Sequence, residues 1–588
     1  MALPNKNSPV KSIKRVRIWY GFLILLVGIF GIRLFYLQII NHSYYRTAAL
    51  NDQLKQYEIP ATRGVIKAHN GSTTVPIVLN QKLYVLYADP VYIKKPDDLA
   101  NKLVPIIGGD AAKYADQMRT KDTRYVVMAK KLSTDQRKKI EALKSPGLGT
   151  QAQDYRTYPQ GALAAQVLGF VDNNGKGQYG IEQASNKLLD GVPGQLNAIT
   201  DANGIPLAAS KDNTRVAPKN GKDIVLTIDL AMQQKLETIL AKGVQTSRAS
   251  GGSAIIMDPN TGAVKAMANY PTYDPSKYAE VEDPKVFKND AVSNAIEVGS
   301  TMKTLTTAAA LDQNVIKANT TYYDPASWLV DGFRITNIEE DGGAGTRSIK
   351  QLLNLSLNTG ATWELMQMGG GKINQKARTA WHDYLTNHYM FGKATGIEQG
   401  YESEGFVPSP EDNGAGIDLT YANTSFGQAM TATPIQMAGS LAPLVNGGTY
   451  YQPRLIDKTI DGIKEETIKP KVVKKNAVSA KTSAEIIPMM QYVVENHTFS
   501  PKFDFNSYIV GGKTGTAQIA KPGGGYYDNS FNGTYAGYVG GDKPQYVVVV
   551  FVDKPTNGGY AGSAAAQPLF GSLVHMLIND SYVMPKSQ

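Results

Sequence analysis

Three short clusters of hydroxyl, amine and amide side chains stand in order along a chain of 588 residues. Ser300 and Lys303 are three apart in EVGSTMKTLTTAAALDQ (297–313), Ser356 and Asn358 flank one leucine in LLNLSLNTGATWEL, and Lys513, Thr514, Gly515 and Thr516 run through GGKTGTAQ (511–518). A serine hydroxyl is a weak nucleophile until a neighbouring base takes its proton. A lysine three residues on, at the start of a helix, lies on the same helical face. Desolvation lets such a lysine serve as the base. The second serine can relay a proton to a leaving or entering amine, and the asparagine amide can orient substrate and lysine. A strand carrying one cation, two hydroxyls and a glycine suits a substrate carboxylate close to backbone. The chemistry these residues describe together is acyl transfer through a serine ester.

Each cluster alone is weak. Ser8-Pro9-Val10-Lys11 matches the first and Ser530-Phe531-Asn532 the second. The order Ser-x-x-Lys, Ser-x-Asn, Lys-Thr-Gly carries the specificity: it disqualifies Ser530, which follows Lys513, and leaves Ser8 in a basic tail. Composition narrows the rest. The absence of cysteine excludes disulfides, thiol nucleophiles, iron–sulfur clusters and cysteine-ligated zinc, and the six histidines form no HExxH pair. No metal and no organic cofactor is expected. A formal net charge of +10 could suggest nucleic acid, but Lys6, Lys11, Lys14, Arg15 and Arg17 place five cations in the first 17 residues. No nucleic-acid partner is expected.

That tail precedes an apolar stretch over 18–40, long enough to span about 30 Å of hydrocarbon, with Arg33 near one end and aromatic residues at both. The charge asymmetry predicts a cytoplasmic N-terminus and an exported remainder. The apolar run is too long for a cleaved signal peptide and no clean A-x-A site follows, so an uncleaved single-pass anchor in the cell membrane is expected. The elements beyond it are mixed. Short β-prone runs (64–71, 82–89, 124–131) alternate with amphipathic helices (97–107, 133–143). Residues 200–223 are turn-rich and read as a domain junction. From 223 onward strands lie at both ends with helices between: a hairpin around Asn260-Thr261-Gly262, the pair 533–540 and 545–553, and a last helix over 564–580 interrupted by Pro568. The all-apolar QYVVVVFVD predicts a central strand covered on both faces. An antiparallel sheet built from both ends of this segment, with a helical insert that opens with the first cluster, follows from this order.

With these motifs the chain resembles the class B penicillin-binding proteins, the monofunctional peptidoglycan D,D-transpeptidases. The resemblance extends to AIIMDPNTGAVKAMANYPTYDP (254–275) and SFGQAMTATPIQMAGSLAPLVNGG (425–448) and, in the N-terminal half, to TRGVIKAHNG (62–71), YRTYPQGALAAQVLGFV (155–171) and GIEQ (180–183). It departs at Val298, where the family usually has proline, and at Ala68-His69, where it often has Asp-Arg. The resemblance implies an α+β protein with four parts: a basic tail (1–17), a membrane anchor (18–40), an elongated pedestal (41–222) and a transpeptidase domain (223–588) of serine β-lactamase-like fold. It implies that Ser300 attacks a stem peptide ending in D-Ala-D-Ala, with Lys303 as base, Ser356 and Asn358 completing the catalytic group, and Lys513, Thr514, Gly515 and Thr516 at the carboxylate. The backbone N–H groups of Ser300 and Thr516 would form the oxyanion hole. Implied partners are peptidoglycan stem peptides, β-lactams as covalent ligands and a multi-span membrane glycan polymerase. A division role is favoured over elongation by the compact pedestal and the lack of a further C-terminal domain. A D,D-carboxypeptidase or β-lactam-hydrolysing enzyme, or a non-catalytic scaffold or sensor, are the competing readings. The pedestal argues against the hydrolase, and the full set of motif residues against the scaffold.

Overall fold

The structure, a computed structural model, describes residues 10–199, 214–337, 343–412, 414–521 and 525–587. Most of the expected junction at 200–223 therefore lies outside the described residues. The chain forms two compact units, one comprising the stretch up to Thr62 with Gly191–Asn220 and the other Arg63–Asp190 with Gly221–Gln588.

In the first unit a helix spans Val10–Phe35 and continues through a wider turn, Tyr36–Ile40, before a second helix, His42–Gln53. The segment Arg15–Ile40 is long and apolar enough to cross a membrane, and its side chains are exposed in the isolated chain. Burying apolar side chains in lipid instead of leaving them in water is strongly favourable, and the helix satisfies its own backbone. The remaining elements of this unit are the antiparallel strands Leu54–Ile59, Gly194–Ile199 and Thr214–Val216.

The second unit opens with a mixed sheet. Strand Asp223–Asp229 lies between Ile66–Asn70, to which it runs parallel, and Ile456–Asp461, to which it runs antiparallel. The long strand Thr73–Ala88 carries both Val126–Leu132 and Leu148–Thr157. The helices Pro96–Ile107 and Thr134–Ala142 close this end around Leu99, Leu103, Met128 and Ile140, and Ser133 caps the second with a reciprocal Gln136 bond. At the base of the segment Glu182, fully buried, accepts from Arg63 Nε (2.8 Å) and Arg156 Nε (2.7 Å), while Arg156 also donates to Asn80 Oδ1 at 2.7 Å. Paired and hydrogen-bonded charges of this kind tie three distant stretches of sequence to one point.

The rest of the unit is a five-stranded antiparallel sheet with helices on both faces. Among its elements, in chain order, are α1 (Leu230–Thr246), β1 (Gly251–Met257), β2 (Val264–Tyr270), α2 (Met302–Asp312), α3 (Asn358–Met368), α4 (Ala480–Glu495), β3 (Ile509–Ala520), β4 (Tyr526–Gly540), β5 (Pro544–Asp553) and α5 (Gln567–Asn579). The spatial order is β2-β1-β5-β4-β3. Strand β5 is central, as its sequence predicts. Val548, Val550 and Val552 meet α1 and α5 on one face, and Val547, Val549 and Phe551 join the core containing α2 on the other. Pro568 does not interrupt the last helix. It stands in the first turn of α5, where a missing N–H costs nothing, and a wider turn over Gly562–Ala566 precedes it. The edge of the sheet is β3, and it carries the Lys-Thr-Gly cluster.

Candidate active site

Ser300 lies in a single 3₁₀ turn, Gly299–Thr301, that runs directly into α2. Several contacts fix this turn. The Val298 carbonyl accepts from Thr301 Oγ1 (2.9 Å) and from Thr534 Oγ1 of β4 (2.8 Å), and Gly299 N donates to Gly427 O at 3.0 Å. Gly299 adopts φ +60°, and a Cβ there would sit 2.7 Å from the Thr516 carbonyl oxygen. Only glycine meets both demands without strain.

One turn into the helix, Lys303 is completely buried. Its Nζ donates to the Ser356 carbonyl and, at 3.3 Å, to Ser356 Oγ. Ser356 follows the helix Ile349–Asn354 and enters the left-handed region (φ 58°), and both of its oxygens meet the lysine. Asn358 opens α3, and its Nδ2 donates to Thr336 O at 3.1 Å. The next residue, Thr359, is held by Asp324 Oδ2 (2.8 Å) and Asn337, and its carbonyl accepts from Trp328 Nε1 at 3.0 Å. A hairpin (Ser327–Val330 and Phe333–Thr336) therefore fixes the start of α3.

On β3, Lys513 is buried to 1% exposure, and its Nζ donates to the Thr514 carbonyl (3.1 Å) and hydroxyl (3.2 Å). Thr514 and Thr516 are only part-buried and line a cleft of about 350 Å³ together with Ser300, Ser356 and Asn358. Gly515 faces inward, where a Cβ would lie 2.2 Å from Thr534 Oγ1 and 2.5 Å from the Val298 carbonyl oxygen. Thr516 Oγ1 accepts from Gly562 N at 2.9 Å. All eight sequence-derived residues thus meet at one place: five line the cleft, two lysines are buried beside the hydroxyls they contact, and Gly515 allows the strand to approach the serine turn.

Sequence reasoning did not identify the remaining walls. Phe426, Gln428, Gln518, Phe531, Tyr560 and Ser563 also line the cleft. The stretch containing Phe426 and Gln428 carries only a resemblance, and nothing local marks Tyr560 or Ser563. Behind Lys513, burial and the lysine charge hold the His497 imidazole below its usual range. Beside the serine turn, burial raises the Glu297 carboxyl, opposed by hydrogen bonds from Tyr526 OH and Ala429 N, both 2.9 Å long. No group of His, Asp and Glu suited to a metal occurs among the described residues. A larger hollow of about 730 Å³ lies at Val91–Lys102 and Leu143–Pro146, but lysines and apolar side chains dominate it and none of the three motifs contributes to it.

Gly515→Ala is expected to damage this site more than the fold. Forcing a methyl into that contact costs about 1–3 kcal/mol. It also moves Thr514 and Thr516 away from Ser300, and displacement of about 1 Å at a reacting centre can cost on the order of 100-fold. The measurement is the second-order rate of penicillin acylation beside the melting temperature. A rate within threefold of the parent would show that the close approach of strand and turn is dispensable.

Known proteins share this organisation. Residues 252–575, more than half of the chain, match the family described as "Penicillin binding protein transpeptidase domain", and residues 58–226 match "Penicillin-binding Protein dimerisation domain". The chain is 29% identical over 585 residues to stage V sporulation protein D of Bacillus subtilis, covering 98% of this chain and 88% of that protein. It is 24% identical over 576 residues to the peptidoglycan D,D-transpeptidase FtsI of Escherichia coli K12, covering 96% and 91%. Among solved structures it is similar in fold to penicillin-binding protein 2X of Streptococcus thermophilus (TM-score 0.71, 24% identity, 90% of this chain and 80% of that one). It is likewise similar to penicillin-binding protein 3 of Mycobacterium tuberculosis complexed with aztreonam (TM-score 0.67, 24% identity, 90% and 98%). With a transpeptidase domain behind a dimerisation domain and an apolar N-terminal helix, the chain belongs to the penicillin-binding protein transpeptidase family.

Proposed function

We propose that this protein is a serine D,D-transpeptidase that cross-links peptidoglycan stem peptides and is acylated by β-lactams. The observation that carries the reading is the convergence of Ser300, Ser356, Asn358, Thr514 and Thr516 on one cleft with Lys303 on Ser356. The donor stem peptide ends in D-Ala-D-Ala, and its terminal carboxylate is held by Lys513, Thr514 and Thr516. Lys303 takes the Ser300 proton as Oγ bonds to the penultimate carbonyl carbon. The N–H groups of Ser300 and Thr516 stabilise the resulting oxyanion, each worth about 3–4 kcal/mol in comparable sites. Ser356 relays a proton to the departing D-Ala as the C–N bond breaks, leaving an ester on Ser300. An amine from a second stem peptide then attacks the ester, forms the cross-link and returns the serine its proton. A β-lactam enters the same path but leaves its cleaved ring attached.

The test is a fluorescent penicillin followed over time on the detergent-solubilised chain. A label persisting for hours is expected. Rapid turnover would favour a hydrolase, and no label at all a scaffold.

The apolar helix over 18–40 is proposed as an uncleaved anchor with a cytoplasmic N-terminus, supported by the five cations ahead of it. A septal role is supported by the relatives named FtsI, and the protein's position in growing cells, septum or sidewall, tests it. A multi-span glycan polymerase is the proposed membrane partner. Gly21 and Gly28, two helical turns apart with open space above both, would allow a neighbouring helix close approach. Exchanging residues 18–40 for an unrelated membrane helix is expected to preserve penicillin labelling while lowering cross-linking in cells. Undiminished cross-linking and normal recovery of a polymerase complex would reduce the segment to a tether.

A further inference from the structure

One buried titratable group near the base has no part in the mechanism above. Glu364 lies on α3, six residues beyond Asn358, with no solvent exposure. Both of its carboxyl oxygens contact the Thr307 hydroxyl, at 2.9 and 3.0 Å. Thr307 is buried on α2 four residues beyond Lys303, about one turn, so hydroxyl and amine share a helical face. A hydroxyl carries a single proton. The carboxyl oxygens share that proton, a contact that favours the ionised form. Burial acts the other way: it pushes the Glu364 carboxyl up to about 8, against the Thr307 hydrogen bond and the Lys303 charge, which pull it down.

We propose that Glu364 is a positioning residue for the base: its carboxyl, tied to Thr307 one turn beyond Lys303, governs how much of the Lys303 amine is free to take the Ser300 proton. The proposal rests on the reading of Lys303 as that base. Coupling between two charges is reciprocal. If the lysine charge favours ionisation of Glu364, an ionised Glu364 holds the lysine as ammonium, which cannot accept a proton. A protonated Glu364 imposes no such hold. The two groups therefore titrate as a pair, and the first proton lost from the pair is divided between them.

Other charged groups around this helix are engaged elsewhere or sit behind an intermediary. Tyr322, stacked on Trp363 at 4.3 Å, feels Glu364 along with Asp324 and Arg347 and stays protonated far above neutral pH. On the neighbouring helices Gln375–Asp383 and Ile417–Ser425, Arg378 is paired with Asp418. Arg334 on the adjoining hairpin donates to Ser327 Oγ at 2.9 Å. Asp312, at the far end of α2, accepts from Ser479 N (2.7 Å) and Thr482 Oγ1 (2.8 Å). On the β3 side, the Lys513 charge acts on His497. Among the carboxyls whose titration is resolved, Glu364 is the one on which Lys303 acts.

The experiment compares pH profiles of penicillin acylation between pH 5 and 10 for the full chain in detergent and for Glu364→Gln, Thr307→Val and Lys303→Arg. Glutamine reproduces the shape and the two-way hydrogen bonding of the neutral acid but cannot ionise. In the parent the ascending limb should be broader than a one-proton titration and end above pH 8. In Glu364→Gln it should follow a single proton, with its midpoint at least half a pH unit lower, which is about a threefold gain in rate on the limb. Thr307→Val removes a hydrogen bond that favours the carboxylate, so its midpoint should move the same way even if its melting temperature falls. Limbs that superimpose on the parent in both variants, with only melting temperatures altered, would reduce Glu364 to a tie between α2 and α3 and overturn the proposal. Undiminished acylation in Lys303→Arg would instead sink the assignment of the base, a separate failure.

Discussion

Ser300→Ala is expected to abolish covalent penicillin labelling and to leave the fold standing. The nucleophilic oxygen is removed, and no other hydroxyl in the cleft is placed to replace it. Ser356 accepts from Lys303 Nζ but sits after a left-handed turn on the opposite wall, and Ser563 approaches from the segment beyond β5. The turn around Ser300 is fixed by backbone and by Thr301 and Thr534, not by the serine side chain. Truncating a serine at a helix start costs about 1 kcal/mol or less. That corresponds to about 1–2 °C or less in melting temperature for a domain of more than 300 residues. Ser8→Ala, at the other Ser-x-x-Lys match, is the control and should change nothing. Labelling that survives in Ser300→Ala removes the nucleophile assignment.

The two buried lysines should fail differently under the same substitution. Both are enclosed, so a larger guanidinium imposes a similar packing cost of about 1–3 kcal/mol at each. The difference must then come from chemistry. Arginine stays protonated at any pH the protein tolerates. At position 303 it cannot accept the Ser300 proton, and loss of a general base costs about 100- to 10,000-fold. At position 513 the requirement is a cation opposite a carboxylate, which arginine supplies, so acylation should remain within about tenfold of the parent once packing is allowed for. Acylation rates for Lys303→Arg and Lys513→Arg, with melting temperatures as the common baseline, decide the matter. Equal losses would mean that the lysines do not hold separate roles.

Much of this site was legible because each cluster is local. Ser300 and Lys303 lie within one helical turn, Ser356 and Asn358 flank one residue, and Lys513 to Thr516 are consecutive. Their order alone predicted that they meet. The central position of β5 was legible for a similar reason, since an unbroken apolar run has to be covered on both faces. What could not be read depends on distant chain segments meeting. Glu364 is a single charge in TWELMQM, and no neighbour in sequence reveals that α2 buries it against Thr307. Gly427 and Gly562 carry no local sign that the chain brings them against Gly299 and Thr516. Pro568 was read as a break because sequence does not say where a helix begins, only that proline is unwelcome inside one. The left-handed backbone at Ser356 had no signal in SLN at all.

The close packing of backbone on backbone around Thr516 also bears on how such a target can change under a drug. A Cβ on Gly299 would press on the Thr516 carbonyl, one on Gly427 on the Gly299 carbonyl, and one on Gly562 on the Gly515 carbonyl, at 2.7, 2.1 and 2.5 Å. An added side chain at any of these positions displaces a peptide group whatever ligand the cleft holds, so substitution there is not a route to rejecting one ligand and sparing another. Phe426, Gln428, Gln518, Phe531 and Tyr560 stand at the rim, where side chains rather than backbone form the wall. Substitutions that reshape the cleft while keeping the fold are therefore expected at the rim, and the glycine floor remains the part of the cleft to which a durable inhibitor should be fitted.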